Sequence, residues 1–233
     1  MESLSYQRSR SRLEAYFDRT AADTWAQLTS DRPVSRIRRT VRQGRREMAE
    51  GILAMLPKDL RGHRILDAGC GTGALSVAAA QRGADVVAID LSATLVELAQ
   101  KRVPTQLGGG RIDFRVGDML DPSLGDFDSV VAMDSLIHYS AEDMTAMVER
   151  LTARAKSRVV FTYAPRTPLL ALMHWLGGFF PRADRAPFIQ PIAARRLQKA
   201  LEASPALETW RLSRSLHVSR GFYTSCAQEL LRS

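Results

Sequence analysis

The stretch Asp67-Ala68-Gly69-Cys70-Gly71-Thr72-Gly73 decides the fold. Three glycines in five residues let a chain turn sharply and let a ligand reach the main chain without meeting a Cβ. Ahead of it, residues 63–68 (HRILDA) are short and apolar enough for a buried strand, and behind it residues 75–82 carry apolar side chains at helical spacing. A glycine turn between a strand and a helix is the opening unit of a nucleotide-binding α/β sheet. Gly69, Gly71 and Ala74 also satisfy the permissive G-x-G-x-x-A pattern, so spacing alone leaves nicotinamide cofactors and other nucleosides open.

Working outward, residues 85–89 (DVVAI), 112–116, 129–133 and 158–163 read as further strands. Residues 92–102 form a helix with Ser92 as N-cap, and residues 141–155 form one with Met144, Met147, Val148 and Leu151 on one face. The order β-α-β-α-β-β-α-β predicts a doubly wound, Rossmann-like α/β sheet. Charge then narrows the ligand. Asp67 stands two residues before the first glycine, where a carboxylate repels a pyrophosphate and attracts the ammonium of an amino-acid tail. Asp90 ends the second strand, 21 residues beyond Gly69, the spacing at which an acid reaches ribose hydroxyls. Asp118, in Val116-Gly117-Asp118-Met119, can accept from an adenine amino group while Met119 covers the ring. Each acid alone could be a turn or cap residue. Their joint placement at strand ends points to a cationic, phosphate-free nucleoside, and S-adenosylmethionine fits that description.

The 233 residues, 45% hydrophobic and 25% charged, exclude a disordered chain. Cys70 and Cys226 are the only cysteines, too few for a disulfide scaffold or a clustered metal site, so no metal is expected and a reducing, cytoplasmic setting is. No secretory leader is expected, and no apolar run approaches the ~20 residues of a membrane span. The net charge of +8 divides as +4 over residues 1–60, −2 over 61–165 and +6 over 166–233. Basic flanks around an acidic centre point to an anionic partner or a solvated arginine surface. Residues 41–56 read as an amphipathic helix ended by Pro57, with Leu13, Tyr16, Phe17, Trp25 and Leu28 before it. We therefore divide the chain into an N-terminal helical cap, residues 1–60, and an α/β domain, residues 61–233. An insertion at about 166–192 combines prolines, arginines and an apolar run, which reads as a hinged lid or as a core-packed helix between turns. A helix at 193–203 and strands at 207–213 and 221–226 complete the expectation.

The pattern D-x-G-x-G-x-G followed by V-V-A-I-D resembles the class I S-adenosylmethionine-dependent methyltransferases over about residues 60–165. The resemblance implies S-adenosylmethionine as cofactor and S-adenosylhomocysteine as product, with contacts from Asp67, Gly69, Gly71, Asp90, Leu91, Asp118, Met119 and Met133. The flanks are similar to the magnesium-protoporphyrin IX O-methyltransferase family of bacteriochlorophyll and chlorophyll synthesis. The stretches that carry this are Tyr16-Phe17-Asp18-Arg19-Thr20-Ala21, Val34-Ser35-Arg36-Ile37, Met133-Asp134-Ser135-Leu136-Ile137-His138-Tyr139, Phe161-Thr162-Tyr163-Ala164-Pro165-Arg166, Phe180-Pro181-Arg182-Ala183-Asp184-Arg185 and Gly221-Phe222-Tyr223.

That resemblance implies methylation of one propionate of magnesium protoporphyrin IX, an apolar disc with carboxylates at its edge. Arg36, Arg166, Arg182 and Arg185 are then candidates for gripping carboxylate, since arginine does so through two hydrogen bonds. Tyr139 and His174 are candidates for touching the ring, and His138 and Tyr16 for the catalytic residues. The partners implied are the tetrapyrrole, the large subunit of magnesium chelatase as its supplier, and at most peripheral contact with the inner or photosynthetic membrane. Nucleic acid is disfavoured because the N-P-P-Y-like tetrapeptide of nucleic-acid amino-methylating enzymes is replaced by Asp134-Ser135-Leu136-Ile137. Another small anionic acceptor, or RNA, is the alternative.

Overall fold

The computed structural model describes residues 3–19, 35–166 and 189–233. Most of the expected insertion, with His174, Arg182 and Arg185, lies outside the described residues, as do Trp25 and Leu28. Among the described residues, two helices, α1 (Leu4–Arg19) and α2 (Arg36–Met55), precede the sheet. The alternating core follows as β1 (Arg64–Ala68), α3 (Ala74–Ala80), β2 (Asp85–Asp90), α4 (Ala93–Lys101), β3 (Arg111–Val116), β4 (Phe127–Ala132), α5 (Ala141–Ala153) and β5 (Ala155–Tyr163). The described residues close with α6 (Ala194–Glu202), β6 (Trp210–Arg220) and β7 (Tyr223–Arg232).

The strands form one sheet in the order β3-β2-β1-β4-β5-β7-β6. The first five run parallel, and β7 runs antiparallel to both β5 and β6. The expected doubly wound sheet is therefore present, with an antiparallel hairpin added to one edge. Strand order reverses between β1 and β4, so a crevice opens at the carboxyl ends of those strands. Successive side chains of one strand feed opposite layers: Leu66 joins Val130, Met144, Met147 and Leu151 on one face, while Ile65 joins Val131, Met48 and Ile52 of α2 on the other. Each such side chain contributes about 1.5–3 kcal/mol of burial, so α2 is fixed by its apolar stripe despite its arginines.

Ser92 caps α4 as expected, accepting from the Leu95 N–H at 3.2 Å. α2 starts earlier than residue 41 because Ser35 accepts from the Arg38 N–H and arginines continue the helix. The terminal strands are longer than expected and shifted. Leu207 belongs to a 3-10 turn, Pro205–Leu207, and Gly221 (φ +56°) and Phe222 form a two-residue hairpin loop between Arg220 and Tyr223. In β6, at the sheet edge, polar residues crowd the apolar ones, so alternation understated its length.

α2 lies against this hairpin, running opposite to β6. Arg214 donates to the carbonyls of Ala54 and Met55, Gly51 sits at Leu216, and Arg220 pairs with Glu47 at 2.8 Å.

Candidate active site

The glycine loop forms the floor of the crevice. Gly69 has φ +86°, and a Cβ there would lie 2.4 Å from the Ser135 Cβ, so only glycine fits both the backbone and the space. Ser135 is fixed by its own Oγ, which donates to the Ala68 carbonyl at 2.7 Å. A Cβ on Gly71 would meet nothing within 4 Å, which leaves its main chain open to a ligand. The Gly71 N–H donates to Asp90 Oδ2 at 2.8 Å, and the Ser92 N–H donates to Asp90 Oδ1 at 3.0 Å. Asp90 thus ties the loop to the end of β2 before any ligand arrives, and burial raises its pKa above the usual carboxylate value.

Asp67 is buried beneath the loop. Its carboxylate accepts from Ser76 Oγ at 2.5 Å, and burial pushes its pKa up to about 6. It supports the floor from below and does not line the crevice.

One wall is built where the chain leaves β4. Asp134 adopts φ +55°, a left-handed conformation costly for most side chains, and is anchored on several sides. Its N–H donates to Thr162 Oγ1 at 2.7 Å, and its carboxylate accepts from the Tyr223 hydroxyl at 3.1 and 3.2 Å and from Arg45 Nη1 at 2.6 Å. The carboxylate is 5% exposed, so the arginine partner matters: a buried carboxylate without a cation is expensive. Gly44 makes the pairing possible. A Cβ at 44 would fall 2.4 Å from the Tyr223 ring, so glycine lets α2 settle on Tyr223 and deliver Arg45 to the crevice.

α1 forms the roof, fastened at three points. The Ser3 and Ser5 hydroxyls donate to Asp143 Oδ1 at 2.6 and 2.8 Å. The Tyr6 hydroxyl and Arg10 Nη1 donate to the two oxygens of Asp118 at 2.7 and 3.0 Å. Asp18 accepts from Ser92 Oγ at 2.6 Å. Between these points Leu13 and Phe17 face the crevice, and the Tyr6 ring stacks on Tyr139 with centroids 5.3 Å apart. His138 ends a 3-10 turn, Leu136–His138, is buried, and meets the Phe17 ring edge-on at 6.0 Å. The cleft is partly open to solvent, and its space of about 660 Å³ includes the open mouth.

Of the residues expected from sequence, Gly69, Gly71, Asp90, Leu91, Met119, Met133, His138 and Tyr139 line this one cleft. Asp118 does not, because its carboxylate is held by α1. Phe17 lines the cleft whereas Tyr16 does not; one residue along a helix is about 100° of rotation. Tyr16 packs half-buried against Phe17, with centroids 5.2 Å apart, and burial raises its pKa. Arg36 is exposed on the first turn of α2, and Arg166 borders a separate cavity with Glu142, Gln190 and Arg196. Sequence reasoning missed Arg45. Its signal, one cation among six arginines in residues 36–46, becomes specific only once Asp134 is placed.

These groups suit a nucleoside with a zwitterionic tail. Asp90 offers a double acceptor at a strand end, Leu91 and Met119 offer apolar walls, Gly71 offers bare backbone, and the Arg45–Asp134 pair offers a cation beside an anion.

Comparison with known proteins gives concordant matches. The family described as Magnesium-protoporphyrin IX methyltransferase C-terminus matches residues 132–232, and the general Methyltransferase domain matches residues 65–157. A Magnesium-protoporphyrin O-methyltransferase from Rhodobacter capsulatus is 48% identical over 94% of this chain and 95% of its own length. The protein of the same name from Synechocystis sp. is 31% identical over 94% of each chain. The crystal structure of the Synechocystis magnesium protoporphyrin IX methyltransferase with bound S-adenosylhomocysteine superposes with a TM-score of 0.83. It shares 30% identity and covers 96% of this chain and 99% of its own.

Proposed function

The chain belongs to the magnesium-protoporphyrin O-methyltransferase family, and from that premise we infer how its cleft works. The protein is an S-adenosylmethionine-dependent O-methyltransferase that esterifies a propionate of magnesium protoporphyrin IX, a step of (bacterio)chlorophyll synthesis. The observation that carries the mechanism is the convergence of the glycine loop, Asp90 and His138 on one cleft roofed by α1. When bound, the cofactor supplies an electrophilic methyl group on a sulfonium. The residues suited to hold it are Asp90 for the ribose hydroxyls, Leu91 and Met119 for the base, and Met133 with the Gly69 and Gly71 backbone for the amino-acid portion. We add Arg45 and Asp134 for the carboxylate and ammonium of its tail.

A propionate, with a reference pKa of about 4.3, is already ionised at neutral pH. No strong base is required, and the protein's task is alignment and exclusion of water. His138, on the rim after β4, is suited to hydrogen-bond and orient the propionate. Leu13 and Phe17 cover the cleft and dry it, and Tyr16 is adjacent on the same helix. Arg36, Arg166, Arg182 and Arg185 are assigned to substrate carboxylates, and Tyr139 and His174 to the ring; the exposed Arg36 and Arg166 suit a propionate reaching outside the cleft.

We extend the proposal to supply and location. A flat apolar tetrapyrrole is poorly soluble, which favours direct hand-over from the large subunit of magnesium chelatase. It equally favours work at a membrane surface from the cytoplasmic side. No helix among the described residues is long and apolar enough to cross a membrane, so the contact proposed is peripheral. The test is incubation with labelled S-adenosylmethionine and three acceptors: magnesium protoporphyrin, metal-free protoporphyrin and bulk RNA. Label should enter the magnesium tetrapyrrole first; preferential labelling of RNA would overturn the reading.

A further inference from the structure

Four large hydrophobic side chains are exposed among the described residues, and two of them, Ile37 (51%) and Phe222 (52%), lie on segments that adjoin at one corner. Their proximity follows from the register of α2 on the hairpin. A Cβ on Gly221 would lie 2.7 Å from Thr40 Oγ1, so the hairpin tip abuts the first turns of α2. Ile37 is one turn before Thr40, and Phe222 is next to Gly221. Arg36, Arg38 and Arg39 are exposed beside them, and the exposed Arg220, paired with Glu47, stands at the base of the tip.

The charge at this corner works against the helix that bears it. Residues 36–46 contain six arginines and no acid, and the first turn of α2 has no acidic residue to match the positive end of the helix dipole. Arg36 and Arg39 stand at a like-charge helical spacing that repels. An external anionic surface relieves this repulsion. Aliphatic and aromatic tips within a cationic rim match the acyl boundary and headgroups of a bilayer carrying anionic lipid. A polynucleotide would satisfy the arginines and leave Ile37 without a use.

We propose that this corner, the first turn of α2 with the β6–β7 hairpin tip, docks the enzyme on an anionic membrane surface. The corner shares an end of the sheet with the cleft. Tyr223, next to Phe222, reaches Asp134, and Arg45 lies about two turns along α2 from Ile37. A membrane-seated corner therefore holds the cleft mouth close to where an amphiphilic tetrapyrrole partitions. This deepens the peripheral contact proposed above.

The test is vesicle flotation of the full chain with phosphatidylcholine alone and with phosphatidylcholine containing phosphatidylglycerol, at low and high salt. The wild type should float with the anionic vesicles, less so at high salt. The Ile37→Ser/Phe222→Ser variant should lose roughly tenfold or more in apparent affinity. Arg39→Glu should also weaken binding, while Arg211→Glu, exposed at the opposite end of β6, should not. Methyl transfer to detergent-solubilised magnesium protoporphyrin should stay at the wild-type rate in the serine variant, which certifies its fold and reports on the function separately. Absence of flotation, equal loss in Arg211→Glu, or wild-type flotation of the serine variant would overturn the proposal. So would RNA binding that outcompetes the vesicles and ignores the serine substitutions.

Discussion

Gly69→Ala probes the cleft floor most sharply. Alanine would have to adopt φ +86°, at a cost of about 1–2 kcal/mol. Its Cβ would sit 2.4 Å from the Ser135 Cβ and 3.0 Å from its Oγ. Ser135 cannot simply rotate away, because its hydroxyl is tied to the Ala68 carbonyl at 2.7 Å. Relieving such overpacking costs about 1–3 kcal/mol, so the total is about 2–5 kcal/mol. Ser135→Gly removes the obstructing atoms at the expense of one hydrogen bond, about 1 kcal/mol. In Gly69→Ala/Ser135→Gly the clash is absent while the backbone strain persists, so the double variant should be more stable than the sum of the singles by about 1–3 kcal/mol. Urea denaturation of the four proteins measures this coupling, and calorimetric titration with S-adenosylhomocysteine should show partial recovery of affinity in the double variant. Strict additivity, or a Gly69→Ala protein as stable as wild type, would refute the steric reasoning.

Three further perturbations address separate parts of the cleft. His138→Ala should lower turnover by about 10²-fold with S-adenosylhomocysteine affinity little changed; an unaffected single-turnover rate would remove His138 from the mechanism. Arg45→Met should weaken S-adenosylhomocysteine binding by roughly 10- to 100-fold, the worth of a charged hydrogen bond. It should leave 5′-methylthioadenosine, which lacks the amino-acid tail, bound as before; parallel losses for both ligands would contradict the tail assignment. The buried Asp67 carboxyl, raised by desolvation from 3.8 to about 6, holds its proton more tightly folded than unfolded. The stability that the Asp67 proton contributes to the ligand-free protein should therefore be fully present below about pH 4 and fall by about 2–3 kcal/mol as pH rises through 6. Asp67→Asn should lack that component of the decline, and identical pH slopes of denaturation free energy in the two proteins would exclude it.

The sheet was legible because its signals are local. A glycine turn after residues 63–68, the apolar run 85–89 and the serine at 92 each announce an element within a few residues. Asp90 was legible by spacing alone, since the length of one β-α-β unit fixes where a second strand ends. Asp118 was legible as a residue at a strand end, but its occupation by Tyr6 and Arg10 depends on a helix more than a hundred residues away in sequence. Arg45 stands for the same difficulty. Nothing local separates it from Arg42 or Arg46; Gly44 seated on Tyr223 and Asp134 turned into the left-handed region make it part of the cleft. Tyr16 was the candidate and its neighbour Phe17 lines the cleft, because only the roll of α1 on the sheet decides which of the two faces inward.

The central claim is that the methyl group ends on a carboxylate oxygen, and the chemistry of the product reports that directly. Magnesium protoporphyrin labelled by the enzyme should release its label as methanol under mild alkali, as a methyl ester must. Label that survives alkali on the tetrapyrrole, or that resides on nitrogen in a nucleic acid, would contradict the account.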